Sequence, residues 1–238
     1  MKIEKVAESN LTIKPTRQNI DDNLGVPPPF PNKNSVIFIS GGQGTGKSTF
    51  ITNLFKAKGA NRIYRKVFDT VMYATPEEVF TSEEDNIFKG HPRVYHDLSP
   101  ETFKTIIEAA VETKADGGNS ILVIDDFSEQ LKLKQTEYML RKLINKHRHM
   151  KLNIVISALN QKAMNRNLRS LLDVVVLFKP KSMIETDNFG EEVFGLNRAD
   201  TKTLFDYVFD KPYNFLMYNA RTNTFYKNFD ELKIDRNE

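Results

Sequence analysis

The stretch "SVIFISGGQGTGKSTFITNLFKAK", residues 35–58, decides how the rest of the chain is read. It opens with a short, continuous apolar run over 35–40, the signature of a buried strand. It closes with a helical pattern that sets Phe50, Ile51, Leu54 and Phe55 on one side. Between the two lies GGQGTGKS, Gly41–Ser48, which fits G-x-x-x-x-G-K-[ST] in the strand-to-helix context that pattern requires. Gly41, Gly42, Gly44 and Gly46 let backbone N–H groups turn inward around phosphate oxygens, aided by the N-terminus of the following helix. Gln43, Thr45 and Thr49 complete the binding stretch. Lys47 is expected to reach the β- and γ-phosphates and Ser48 to hold Mg²⁺. The competing reading, a glycine-rich turn without chemistry, needs motif and context to coincide by chance. The expected ligands are ATP and Mg²⁺.

Outward from this unit, the chain alternates strands and helices. Residues 67–75 and the short 93–97 read as strands, and a helix starts at Ser99-Pro100-Glu101, with proline in its first turn. "ILVIDD" (121–126) is a strand, "TEYMLRKLINKHRHM" (136–150) a helix, and "LNIVISAL" (152–159) and "DVVVLF" (173–178) are strands. Such alternation predicts an α/β fold, a mostly parallel sheet with helices on both faces, which explains why the strands are apolar throughout. Three segments are expected. Residues 1–34 form an N-terminal arm and proline-rich linker containing the stiff, extended "VPPPFP" (26–31), and residues 35–180 form the core. Residues 181–238 form a small appendage on the core, with helical stretches near 187–195 and 199–209 and two strands around a polar loop.

Composition sets outer bounds. The 238 residues suffice for one sizeable domain, and 27% charged residues fit a globular one. A net charge of +3 does not by itself argue for nucleic acid. With no cysteine, disulfides and thiolate metal sites are excluded. The first residues lack the apolar segment of a secretory leader, and no apolar run approaches the roughly 20 residues of a membrane span. A soluble, intracellular protein is therefore expected.

A phosphate loop of this kind needs an acid at the end of a neighbouring buried strand. "ILVIDD" supplies Asp125, the better Mg²⁺ partner, and Asp126, which either polarises the attacking water or merely caps the next turn. Glu129 is a weaker candidate base. The next buried strand ends in Asn160–Gln161. Ligands in open α/β sheets sit at the carboxyl ends of the strands. Gln161 is then either a sensor of the γ-phosphate beside the acids or a solvated strand cap.

In the helix before that strand, Leu140, Leu143, Ile144 and His147 form the core stripe, while Arg141, Asn145 and Arg148 share another face. Arg148 is either an ordinary solvated charge or a finger reaching a neighbouring subunit's site. His147 and His149, two residues apart on a helix, do not make a metal pair.

Four segments together, "PPPFPNKNSVIFISGGQGTGKST" (27–49), "ILVIDDF" (121–127), "KHRHMKLNIVISALNQ" (146–161) and "NRNLRSLLDVVVLF" (165–178), resemble the viral genome-packaging ATPases related to the poxvirus packaging ATPase, in the HerA/FtsK branch of P-loop proteins. The resemblance covers roughly residues 27–230. It implies a RecA-like core, a homo-oligomeric ring of five or six subunits, and ATP-driven movement of double-stranded DNA into a preformed capsid.

Capsid or portal-vertex protein would then be a partner, in the host cytoplasm, a virus factory or the virion. Lys47 and Ser48 match the family's loop, Asp125 and Asp126 its acidic strand end, and Gln161 its polar sensor. Arg148 and Arg169 match basic positions, with Arg141 a further finger candidate. Asp126 stands where a glutamate is common, which puts the identity of the base in doubt. Lys132, Lys134, Lys162 and Arg166 are candidates for touching DNA. Two other readings stay open: a cellular HerA/FtsK-like translocase, and a nucleotide-gated assembly protein without productive turnover.

Overall fold

The computed structural model describes residues 23–234. Most of the arm expected over residues 1–34 lies outside them. Nine strands form one sheet: β1 (Val36–Ser40), β2 (Thr70–Ala74), β3 (Val94–Tyr95), β4 (Ser120–Ile124), β5 (Leu152–Ala158), β6 (Val174–Phe178), β7 (Phe215–Asn219), β8 (Thr224–Lys227) and β9 (Asp230–Leu232). Their order is β3-β2-β4-β5-β1-β6-β7-β8-β9. The first six run parallel, and β7, β8 and β9 join antiparallel.

The helices are α1 (Lys47–Lys56), α2 (Glu77–Ser82), α3 (Pro100–Ala115), α4 (Lys134–Lys146), α5 (Arg166–Arg169), α6 (Met183–Phe189) and α7 (Arg198–Val208). Ser99 caps α3 by accepting from the Thr102 N–H, and Pro100 occupies the first turn, as the sequence predicts.

Strands that look uniformly apolar divide their side chains by alternation. Val36, Phe38, Leu122, Ile124, Ile154 and Ile156 enter the core beneath α3, α4 and α7, whereas Ile37, Ile39, Ile121, Val123 and Val155 enter the one beneath α1. Both faces are therefore buried.

Both flanking segments pack onto the core. Phe30, from the proline-rich stretch, is buried against Phe50 and Tyr64, and its N–H donates to the Pro27 carbonyl (3.2 Å), so that stretch is a turn packed into the core. The C-terminal hairpin, part of the appendage expected on the core, joins it through the sheet. It continues the main sheet, because β7 pairs along the full length of β6. An antiparallel extension needs no crossover helix, so βα periodicity does not announce it.

Candidate nucleotide site

Positive φ at Gly44 (73°) and Gly46 (108°) curls the chain between β1 and α1 into a loop, a backbone most residues resist. A Cβ on Gly42 would meet the Lys181 side chain at 2.5 Å, and one on Gly41 would meet Phe178 at 2.7 Å. The first turn of α1 has no capping side chain and no acidic residue. Its N–H groups and positive dipole end are left for an anion. The Lys47 ammonium donates to the Gly42 carbonyl (3.1 Å), bridging the loop that it would leave for phosphate. Burial pulls Lys47 below the ordinary lysine range, and Asp126 and Asp125 act against that.

β5 lies between β1 and the acid strand β4. Asp125 is 2% exposed; its carboxylate accepts from the Tyr73 hydroxyl (3.2 Å) and its N–H donates to the Ala74 carbonyl (2.8 Å). Burial pushes its pKa up, and the Tyr73 hydrogen bond and Lys47 hold it down. Asp126, at φ 59°, turns the chain immediately after it, a conformation aspartate tolerates better than most residues. The following segment is anchored: Phe127 and Ser128 are buried, and the Ser128 hydroxyl accepts from the Leu159 N–H (3.0 Å).

Sequence reasoning misses several residues here. Glu83, just after α2, interacts electrostatically with Ser48 and Asp125 and accepts from Asn86 (3.0 Å). Burial and then Asp125 push its carboxyl above the usual range, against the hydrogen bonds from Ser48 and Asn86. Tyr73, which donates to Asp125, stacks on Phe88 at 4.1 Å, and the Phe88 N–H donates to the Asn86 side chain. Lys181, after β6, adds a second cation beside Gly42. No motif spacing links 83 or 181 to residues 41–48. Only the sheet order does.

Other candidates fall elsewhere. Gln161 is 1% exposed, which excludes a solvated cap. Its amide N–H donates to the Glu185 carbonyl in α6 (3.4 Å), and its Oε1 is buried without a partner. Arg169 is not an available finger. Its guanidinium donates to the Met164 and Gln161 carbonyls (2.6 and 3.3 Å) and pairs with Glu192. Glu129 is exposed and pairs with Lys132 (2.6 Å).

Arg148 lies exposed in the turn ahead of β5, at the amino ends of the strands. The seven residues of β5 separate it from the carboxyl edge, about 20 Å away. It cannot serve its own chain's loop. Lys134, Lys162 and Arg166 are exposed.

Ser48 is exposed, and the Glu83 carboxyl interacts both with it and with the buried Asp125. Mg²⁺ asks for one or two carboxylates plus phosphate and water oxygens, so these residues fit it. Among the described residues no cluster of three His, Cys, Asp or Glu could hold a metal by itself.

The RecA-like sheet, the loop and the buried acid one strand removed define a P-loop nucleotide-hydrolysing protein. The chain belongs to the ATPase family associated with various cellular activities (AAA), whose family model matches residues 37–180. It is an ATPase, and it is related in fold to viral genome-packaging enzymes.

The genome-packaging NTPase B204 of Sulfolobus turreted icosahedral virus 2, with ATP-gammaS, superposes with TM-score 0.61 at 17% identity, covering 84% of this chain and 98% of that one. B204 of Sulfolobus turreted icosahedral virus, a DNA-packaging ATPase, gives 0.60 at 16%, covering 82% and 97%. The type VII secretion ATPase EccC of Thermomonospora curvata gives 0.53 at 14%, covering 93% of this chain but 28% of that one. No curated protein matches the sequence. No described helix is long and apolar enough to cross a membrane.

Proposed function

We propose that the protein is the motor of a virus: an ATP-driven translocase that packages double-stranded DNA into a preformed capsid as a homo-oligomeric ring. The carrying observation is the likeness to a genome-packaging NTPase over nearly the whole of that protein. Within such a ring, Arg148, a strand length from its own loop, is assigned to a neighbour's nucleotide. The host cytoplasm or a virus factory, and a capsid or portal-vertex partner, follow from the same reading.

In this mechanism the loop N–H groups and Lys47 hold the triphosphate. Ser48 and Asp125 would hold Mg²⁺, which supplies charge neutralisation at the β- and γ-phosphates. Asp126 orients and polarises the attacking water, and Glu83 fixes the Ser48 hydroxyl. Arg148 of one subunit stabilises the charge that builds on the γ-phosphate in the next. Gln161, wedged between the end of β5 and α6, links the state of the loop to the C-terminal segment.

A net charge of +3 is too small for tight DNA binding by one scattered surface. Affinity would come from repeating one basic loop, with Lys162 and Arg166, around a pore. Duplex DNA of unrelated sequences should therefore stimulate ATP hydrolysis equally, and salt should weaken the effect steeply because the contacts are to phosphates. Hydrolysis indifferent to DNA at every salt concentration would contradict the motor. The likeness to EccC supports a second reading, a translocase for a polymer other than DNA. That same indifference would favour it.

A further inference from the structure

A cavity of about 1000 Å³ opens beside the loop, on the side away from the acids. It starts at Gly46, Lys47, Ser48 and Thr49, where phosphate would sit, and runs along α1 to Asn53 and Ala57. Its far wall is aromatic: Phe178 at the end of β6, Tyr213 in the turn before β7, Phe215 at its start, and Phe229 after β8. Four of its rings, those of Phe50, Phe178, Phe215 and Phe229, lock against one another, with Phe50–Phe215 at 5.1 Å and Phe215–Phe229 at 5.3 Å, both near edge-to-face. Tyr213 differs. It is 72% exposed, sits at φ 65°, and has no ring partner among the described residues. Its Cδ1 lies 3.7 Å from where a Cβ on Gly46 would be.

The sheet order gives the bound nucleotide a direction. β4 with its acids stands on one side of β1, β6 and β7 on the other. A triphosphate whose γ end faces Asp125 and Asp126 must leave its sugar and base towards Tyr213. Apart from Lys47 and Ser48, the polar side chains lining the cavity are Thr49, Asn53, Asn61 and the Tyr213 hydroxyl, and all four residues are exposed. The Asn53 amide N–H is already committed to the Thr49 carbonyl (2.8 Å). Strong discrimination between bases needs buried donors and acceptors left unpaired by the wrong one, and this wall has none.

We propose that this cavity takes the base of a purine nucleoside triphosphate by stacking, with Tyr213 as the open platform, and reads no base edge, so that ATP and GTP bind comparably. The proposal rests on the loop being the phosphate site. It gives the C-terminal extension of the sheet a part in substrate binding.

Calorimetry on the full chain with Mg²⁺ tests it, using the β,γ-imido analogues of ATP, GTP and CTP and inorganic tripolyphosphate. The ATP and GTP analogues should bind within about threefold of each other, more tightly than the CTP analogue, and about tenfold more tightly than tripolyphosphate. Tyr213→Ala should remove that tenfold gain and leave tripolyphosphate binding unchanged, while Tyr213→Phe should keep it. An ATP preference over GTP of a hundredfold, a CTP analogue as tight as the purines, or unchanged purine binding in Tyr213→Ala would overturn the proposal. Should the unaltered chain bind neither tripolyphosphate nor any analogue, the phosphate-site reading itself would fall. Phe229→Ala, which thins the same wall, should weaken purine analogues only, giving an independent check on the substitution at Tyr213.

Discussion

The two flanks of the phosphate loop are built on different principles. On the β4 flank, Asp125, Asp126, Glu83 and Tyr73 supply charge and hydrogen bonds, with Asp125 and Tyr73 buried and both aspartates acting on Lys47. On the β6–β7 flank, aromatic rings line a cavity whose most exposed ring is that of Tyr213. Charge acts on the developing transition state, whereas stacking surface acts equally on substrate and transition state. The first flank should therefore govern the rate of hydrolysis and the second the strength of binding.

The largest effect expected is from Lys47→Ala, which removes the main cation at the β- and γ-phosphates. Hydrolysis should fall to background in a phosphate-release assay, and near-normal turnover would break the phosphate-loop assignment. Next comes Arg148→Ala, with roughly a 10³-fold loss of turnover and normal nucleotide binding, if a neighbour completes the acid flank. Mixing Arg148→Ala with Lys47→Ala subunits should restore some activity, since an intact lysine can then meet an intact arginine across a boundary. Mixed rings without any recovery would remove Arg148 from the mechanism. Asp126→Asn should bind ATP with Mg²⁺ yet hydrolyse it about 10²-fold more slowly, and Glu83→Gln should lose about tenfold. The reverse order would transfer the water-polarising role to Glu83, whose longer side chain comes from outside the motif. The smallest effect is that of Tyr213→Ala on turnover at saturating ATP, expected to be within about twofold of the unaltered chain.

The contrast between the flanks is also a contrast in what the sequence makes legible. The loop, β1 and α1 are contiguous, and their glycine spacing carries its meaning locally. Asp125 and Asp126 are nearly as plain, because a continuous apolar strand ending in two acids sets them at the carboxyl edge of the sheet, where ligands sit. The helical stripe through Leu140, Leu143, Ile144 and His147 is buried as its spacing predicts. Arg148 and Arg169 look equivalent in sequence, yet one is exposed and the other holds two carbonyls and Glu192. That distinction depends on where α6 and its continuation pack. Gln161 likewise turns to Glu185, a partner 24 residues away. Glu83 lies in a charged run that reads as solvent-facing, and it reaches Ser48 only because β2 lies beside β4. The aromatic wall gathers rings from α1, β6, β7 and the turn after β8, and no periodicity connects these.

Equilibrium binding of β,γ-imido-ATP and the maximal rate of ATP hydrolysis, measured side by side for Asp126→Asn and Tyr213→Ala, test the division between the flanks most directly. Asp126→Asn is predicted to lower the maximal rate about 10²-fold with Kd unchanged, and Tyr213→Ala to raise Kd about tenfold with the maximal rate retained. Two variants that move the same quantity, or a Tyr213→Ala protein with full affinity and a collapsed rate, would contradict that division.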